Sequence, residues 1–136
     1  IIAGAERLGI PASQIRVQPA SRNEVPAFLS VSDWNIFFIK DAYSKKASSP
    51  TKQGEVMAMG IPVICNDIGD TGQIVASTGS GILVAQLDEK TFDEIALQLK
   101  KGASFNRDEI RRKAIAIFDL QEGADTYETV YQQLLK

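Results

Sequence analysis

Apolar and polar positions alternate along the chain in patterns that switch repeatedly between helical and strand periods. Ile1, Ala5 and Leu8 recur at helical spacing, with Gly9 placed to end that helix and Pro11 to stop it. Residues 1–4 also admit a strand tail; the helix is the preferred reading. Ile15-Arg16-Val17-Gln18 alternates as a short strand does. Ser21 and Glu24 have the spacing of a capping box, and Val25, Phe28 and Leu29 give the next helix its apolar face. Asp33 leads into Trp34-Asn35-Ile36-Phe37-Phe38-Ile39, an aromatic and β-branched run typical of a strand. Residues 40–49 are polar and aperiodic. After residue 66 a loop runs to Asp70, placed to cap a helix through Ile74 and Val75. Gly79-Ser80-Gly81 then turns the chain into a strand at Ile82-Leu83-Val84. Helical patterns over 90–100, 107–118 and 124–135 complete the chain, and no internal repeat is present.

The stretch from Ser48 to Asn66 is the most informative. It predicts a polar loop, a short helix, a Gly-Pro turn and a buried strand. Pro50 precedes Thr51 with its ring pre-set for a first helical turn and no N–H to leave unpaired. Ser48 or Ser49 is the expected cap. Val56, Met57 and Met59 supply the apolar side, and Gly60 can end the helix in a left-handed conformation. Pro62-Val63-Ile64-Cys65 is short and wholly apolar, which predicts an interior strand. A helix start of this kind directs free N–H groups, with Lys52 in its first turn, toward a point that suits an anion such as a phosphate. Glu55 lies one turn further in, where a carboxylate can accept hydrogen bonds from sugar hydroxyls.

Strands alternating with helices predict an α/β fold: a Rossmann-like parallel sheet with helices on both faces. Ligands of such sheets bind beyond the carboxyl ends of the strands, where helix N-termini also point. The 40–51 loop follows the best strand and precedes the best helix, so the two arguments meet there.

Composition narrows the chemistry. With 136 residues the chain suits a single domain with a real core. A formal charge of −2 and a pI near 5.2 argue against a nucleic-acid-binding surface. No apolar run approaches the ~20 residues of a membrane span, and the first residues lack the pattern of a signal peptide. The sequence contains no histidine, which excludes Ser-His-Asp and Cys-His catalysis and histidine metal sites. The lone Cys65, inside an expected strand, excludes an internal disulfide, fits a reducing compartment and reads as a packing residue. Asp67 and Asp70 suit turn and capping roles. Lys45 and Lys46 suit a solvated loop, and Trp34, Phe37 and Phe38 the core.

Several segments resemble, in order and spacing, the nucleotide-sugar-binding C-terminal domain of GT-B fold, group 1 (retaining) glycosyltransferases. They are the run from Ser49-Pro50-Thr51-Lys52 through Gly54-Glu55 to Gly60-Ile61-Pro62-Val63-Ile64, then Gly69-Asp70, then Gly81-Ile82-Leu83-Val84. Upstream, Ser21-Arg22-Asn23-Glu24-Val25-Pro26 and Ser32-Asp33 also fit that family's pattern, so the likeness spans about residues 8–84. The family carries two glutamates separated by seven residues. Glu55 matches the second, which contacts ribose there, while the first falls on Ala47.

The resemblance implies a donor-binding site made of Ser48, Ser49, Pro50, Thr51, Lys52, Glu55 and Arg22. Backbone N–H groups of Thr51 and Lys52 hold the diphosphate, the Lys52 charge offsets it, and Arg22 lies near the nucleobase. Lys52 and Glu55 are the residues nearest the chemistry, and no metal or cofactor is implied. The partner is a nucleotide-diphosphate sugar. The expected chain is a single, partial C-terminal domain, truncated on its N-terminal side, of a cytoplasmic enzyme whose acceptor-binding domain lies elsewhere. The parent could work at the inner face of a membrane. A non-catalytic phosphate-binding α/β module and a nucleotide-sugar epimerase of similar architecture are the alternatives. With the first two of six strands absent, the isolated chain is expected to rearrange its sheet or to pair with another copy across a bare edge.

Overall fold

The computed structural model of the chain describes residues 2–47 and 49–135. These form a mixed α/β fold around an open parallel sheet of β1 (Asn35–Ile36), β2 (Val63–Asn66) and β3 (Gly81–Val84), in that order. Asn35 pairs with Val63, and Val63 in turn with Gly81, so β2 is central. The helices are α1 (Ile2–Arg7), α2 (Val25–Ser30), α3 (Thr51–Ala58), α4 (Thr71–Thr78), α5 (Glu89–Lys100), α6 (Arg107–Phe118) and α7 (Leu120–Leu134).

Every residue of β2 is buried, as its apolar sequence requires. Its alternating side chains serve two cores. Val63 and Cys65 pack with Val56 and Met57 of α3, Ile74 and Val75 of α4, and Ile110 and Ala114 of α6. Ile64 joins Ile82 and Val84, over which Trp34 and the α5 residues Ile95 and Leu99 close. Helices therefore cover both faces of the sheet. Each such aliphatic side chain contributes about 1.5–3 kcal/mol through burial.

Close approach explains two glycines. A Cβ on Gly81 would collide with the Val63 carbonyl oxygen, so the β2–β3 contact admits only hydrogen there. Gly60 has φ +71° and ends α3 in a Schellman motif. Its N–H donates to the Met57 carbonyl (2.9 Å) and the Ile61 N–H to the Val56 carbonyl (3.2 Å).

Other expectations change. Residues 15–18 form no strand: they run as irregular chain, half-buried only at Ile15, with Val17 66% exposed. Alternation alone does not make a strand where no neighbour supplies ladder bonds. The six-residue strand expected over 34–39 contracts to Asn35–Ile36, with flanking ladder bonds from Asn35 N–H to the Pro62 carbonyl and from Phe37 N–H to the Ile64 carbonyl. Its outer edge has no partner among the described residues, and Ile36 is 60% exposed.

At the N-terminus, α1 favours the helical alternative for residues 2–7; Ile1 lies outside the described residues. The capping-box contact at α2 is present, since Glu24 Oε2 accepts from both N–H and hydroxyl of Ser21 (2.8 and 2.6 Å). α7 starts four residues earlier than the apolar pattern indicated, because Asp119 Oδ1 caps it by accepting from Gln121 and Glu122 N–H. No helix of the described residues is long and apolar enough to cross a membrane.

Candidate functional site

The carboxyl ends of β1 and β2 face the same side as the starts of α3 and α4, because parallel strands feed helices that return along the sheet; the β2–α4 loop is short, and the β1–α3 loop is long and carries a 3-10 turn. α3 begins at Pro50, which occupies the N-cap with extended backbone (φ −75°, ψ 116°). The serine cap expected for this helix is therefore corrected: Pro50 takes the cap position without a side-chain hydrogen bond. Ser48 lies outside the described residues. Gln53 N–H closes a tight first turn on the Pro50 carbonyl (2.9 Å). The N–H groups of Thr51 and Lys52 precede the helix's own ladder. Gln53, Gly54, Val56 and Met57 face inward, leaving Thr51, Lys52, Glu55 and Ala58 on the outer side.

Of the clefts that border this helix, two carry basic side chains. The first, of about 470 Å³, lies between the end of β1 and the start of α3 and is lined by Ile39, Lys40, Lys45, Ser49, Pro50 and Thr51. Two ammonium groups and a helix start at one cleft make it suited to an anion. The second, of about 280 Å³, lies between α2 and α3. Its walls are Val25, Pro26, Leu29 and Met59, and its polar groups are Arg22 and Glu55. Apolar walls with a guanidinium and a carboxylate suit a flat, partly apolar ligand bearing hydrogen-bonding groups.

Of the residues expected at the site, Ser49, Pro50 and Thr51 thus line one cleft, and Arg22 and Glu55 share the other. Lys52 lies on the exposed side of α3 and lines neither. Lys40 and Lys45 take the cleft-lining place that Lys52 was expected to hold. The signal for Lys40 was its position immediately beyond the strand, and Lys45 is carried to the cleft by a 3-10 turn over Tyr43–Lys45. Glu55 also borders an apolar groove of about 430 Å³ between α3 and α6, where the Phe118 ring lies against Gly54.

Polar groups fix the rim. Asn66, at the end of β2, receives the Ile39 N–H on its Oδ1 and donates Nδ2 to the Ile39 carbonyl, both at 2.8 Å. The Thr71 hydroxyl donates to the carbonyls of Asn66 (2.8 Å) and Ile68 (2.9 Å) and accepts from Ile68 N–H. Gln53, fully buried, donates Nε2 to the Thr71 carbonyl (3.3 Å), which ties the first turn of α3 to α4.

Asp70 occupies the N-cap of α4 but accepts no capping bond, and its Oδ1 is buried with no hydrogen-bond partner among the described residues. That corrects the expected cap: the Thr71 hydroxyl shapes this turn instead. Asp67 stands against Gly72 in the first turn of α4, where a Cβ would collide with its carboxylate. Cys65 is buried; burial, and then the Asp67 charge, push its thiol up to about 11. A thiol so hard to ionise is no nucleophile at neutral pH. Among the described residues no group of three or more acidic or thiol side chains could hold a metal ion.

Fold and site together define an α/β chain with a cationic cleft and an Arg/Glu pocket on either side of one helix at the strand ends. No known protein family, curated protein or solved structure matches the chain.

Proposed function

We propose that the chain is the donor-binding part of a retaining, GT-B type glycosyltransferase, a partial C-terminal domain that works with an acceptor-binding domain outside residues 1–136. The observation that carries the proposal is the placement of two clefts about α3. One has an anion-seeking lining next to Thr51, and the other holds Arg22 and Glu55 between apolar walls. The diphosphate occupies the first, with Ser49, Pro50 and Thr51 at its rim and Lys40 and Lys45 supplying charge. The nucleoside occupies the second, with Glu55 accepting from ribose hydroxyls and Arg22 beside the base.

In the transfer step the acceptor oxygen bonds to the anomeric carbon as the bond to the diphosphate oxygen breaks, and the acceptor proton leaves with the diphosphate. Charge grows on the leaving group, where the helix start and the lysines stabilise it. Lys52 adds long-range attraction from the exposed side of α3. No side chain of this half acts as nucleophile. The strand order β1-β2-β3 is consistent with the last three strands of a 3-2-1-4-5-6 sheet.

A non-catalytic anion-binding module is the second reading, favoured by the fact that Lys40 and Lys45 suit a simple phosphate equally well. Titrating the chain with a panel of nucleotide-diphosphate sugars and with inorganic pyrophosphate, followed by amide chemical shifts, separates the two. The enzyme reading expects nucleotide sugars to perturb both Thr51 and the Arg22–Glu55 pocket, and pyrophosphate only the former. Identical responses to both ligands leave the module; no response at millimolar ligand removes the site.

A further inference from the structure

The β1–β2 ladder has a break that the sequence did not announce. Asn35 N–H donates to the Pro62 carbonyl and Phe37 N–H to the Ile64 carbonyl, so the next rung would run from Ile39 N–H to the Asn66 carbonyl. That carbonyl is instead engaged by the Thr71 hydroxyl at 2.8 Å. The rung is made by the Asn66 side chain, whose carboxamide takes Ile39 N–H on Oδ1 and returns Nδ2 to the Ile39 carbonyl, each at 2.8 Å. A side-chain amide thus stands in for a missing peptide group and pairs both polar groups of Ile39. It also frees the Asn66 main chain to turn toward α4. Asn66 is 9% exposed, so both bonds are shielded from competing water.

Ile39 is the last residue before Lys40 and the loop that leads through Lys45 to Pro50. Its direction of exit sets where both lysines stand relative to the start of α3. We propose that Asn66 is the positioning residue of the anion cleft: through its two-point grip on Ile39 it holds Lys40 and Lys45 over Thr51 without touching the ligand itself. The proposal rests on the cleft being an anion site. Only asparagine meets the requirement without strain or charge: aspartate would set a carboxylate oxygen against the Ile39 carbonyl, and glutamine is one methylene too long.

The test uses Asn66→Leu, which is neutral, of similar volume and unable to hydrogen-bond, with inorganic pyrophosphate as probe. Ile82→Ala is the control. It trims the core on β3, away from the loop, and lowers stability without touching Ile39. Affinity is measured per folded molecule, and amide exchange is followed at Ile39 and Lys40. For Asn66→Leu the pyrophosphate Kd is expected to rise about fivefold or more, the size of one or two lost hydrogen bonds. Exchange at Ile39 is expected to accelerate selectively, and Ile82→Ala to keep the wild-type Kd. If Asn66→Leu does not fold, Asn66→Ser, which keeps a polar group but cannot span both Ile39 atoms, is read the same way. Equal affinity in variant and wild type, or equal losses in the variant and the Ile82→Ala control, overturns the positioning role. Failure of the wild-type chain to bind pyrophosphate instead overturns the anion-site reading beneath it.

Discussion

Replacing Gly60 by alanine isolates what the junction between α3 and α6 demands, and Gly79→Ala supplies the reference. Both glycines end a helix with positive φ, +71° and +62°. Adding a Cβ in that conformation costs about 1–2 kcal/mol, offset by about 0.4–1 kcal/mol from a less flexible unfolded chain. Nothing lies within 4 Å of a Cβ built on Gly79, so Gly79→Ala should cost about 1 kcal/mol in all. On Gly60 the same atom would stand 2.6 Å from the Arg107 carbonyl oxygen and 3.2 Å from Arg107 Cβ. The obstacle is backbone at the first turn of α6, which cannot swing aside as a flexible side chain can. Overpacking of this kind adds about 1–3 kcal/mol, so we predict a total near 2–4 kcal/mol for Gly60→Ala. Urea unfolding followed by far-UV circular dichroism gives both values, provided the slopes agree. Equal costs within about 0.5 kcal/mol would refute the steric argument and leave backbone strain as the whole effect.

Four further outcomes follow from the geometry. In the proposed parent enzyme, Glu55→Ala should weaken donor binding by about 1–3 kcal/mol, whereas Lys52→Ala, on the exposed side of α3 and lining neither cleft, should change kcat by no more than about 1 kcal/mol; wild-type donor binding in Glu55→Ala would move the site elsewhere. Glu24, Asp88 and Glu109 are held below their ordinary pKa by Ser21, Thr91 and Lys113 respectively. Their stabilisation is full above the unfolded-state values and lost as pH falls through the lowered folded ones, so an acid titration of Tm should decline there and shift in Glu109→Gln; a Tm independent of pH across that window contradicts this. Cys65 should react with a thiol reagent at pH 8 only as fast as the protein opens, so its rate should follow urea concentration; prompt labelling of the native chain would show the burial to be wrong. The edge of β1 that is unpaired among the described residues, with Ile36 and Phe38 60% and 41% exposed, should drive self-association seen by light scattering at micromolar concentration, and a monomer at all concentrations would contradict it.

What the sequence disclosed depended on whether the signal was local. α3, its left-handed Gly60 and the interior strand β2 were legible because a helix-starting proline, apolar spacing and a Gly-Pro turn all fall within residues 50–66, although Pro50 takes the cap expected of a serine. α6 was legible at both ends, since its apolar periodic run fills residues 107–118, the observed span. Residues 15–18 misled because alternation reports a face to be covered and says nothing of a neighbour to pair with. Phe38 and Ile39 carry strand-forming side chains, yet the ladder passes to the Asn66 carboxamide, a contact between residues 27 apart that no local pattern contains. The site divided in the same way. Glu55 was singled out by its place one turn into α3 and Arg22 only by the family resemblance, and the structure brings them to one pocket. Lys45 read as solvated loop and Lys40 as part of an aperiodic polar stretch, because only the path of the chain after Ile39 turns them into a cleft wall.

The unequal spans of the two strand pairings bear on the order in which the molecule assembles. β2 and β3 join residues 18 apart in sequence (63 and 81), while β1 and β2 join residues 28 apart (35 and 63). Closing the longer span costs only about 0.4 kcal/mol more in chain entropy. It is rewarded by two registered pairs, however, against four for the shorter. The β2–α4–β3 unit should therefore be the nucleus, with β1 docking late and leaving first in partial opening. Amides of Asn35 and Phe37 exchanging no faster than that of Val63 would exclude this order. The proposed anion cleft adjoins the last element to arrive, so occupancy of the cleft should slow the departure of β1. A bound diphosphate would then serve the chain as a kinetic latch on its own sheet.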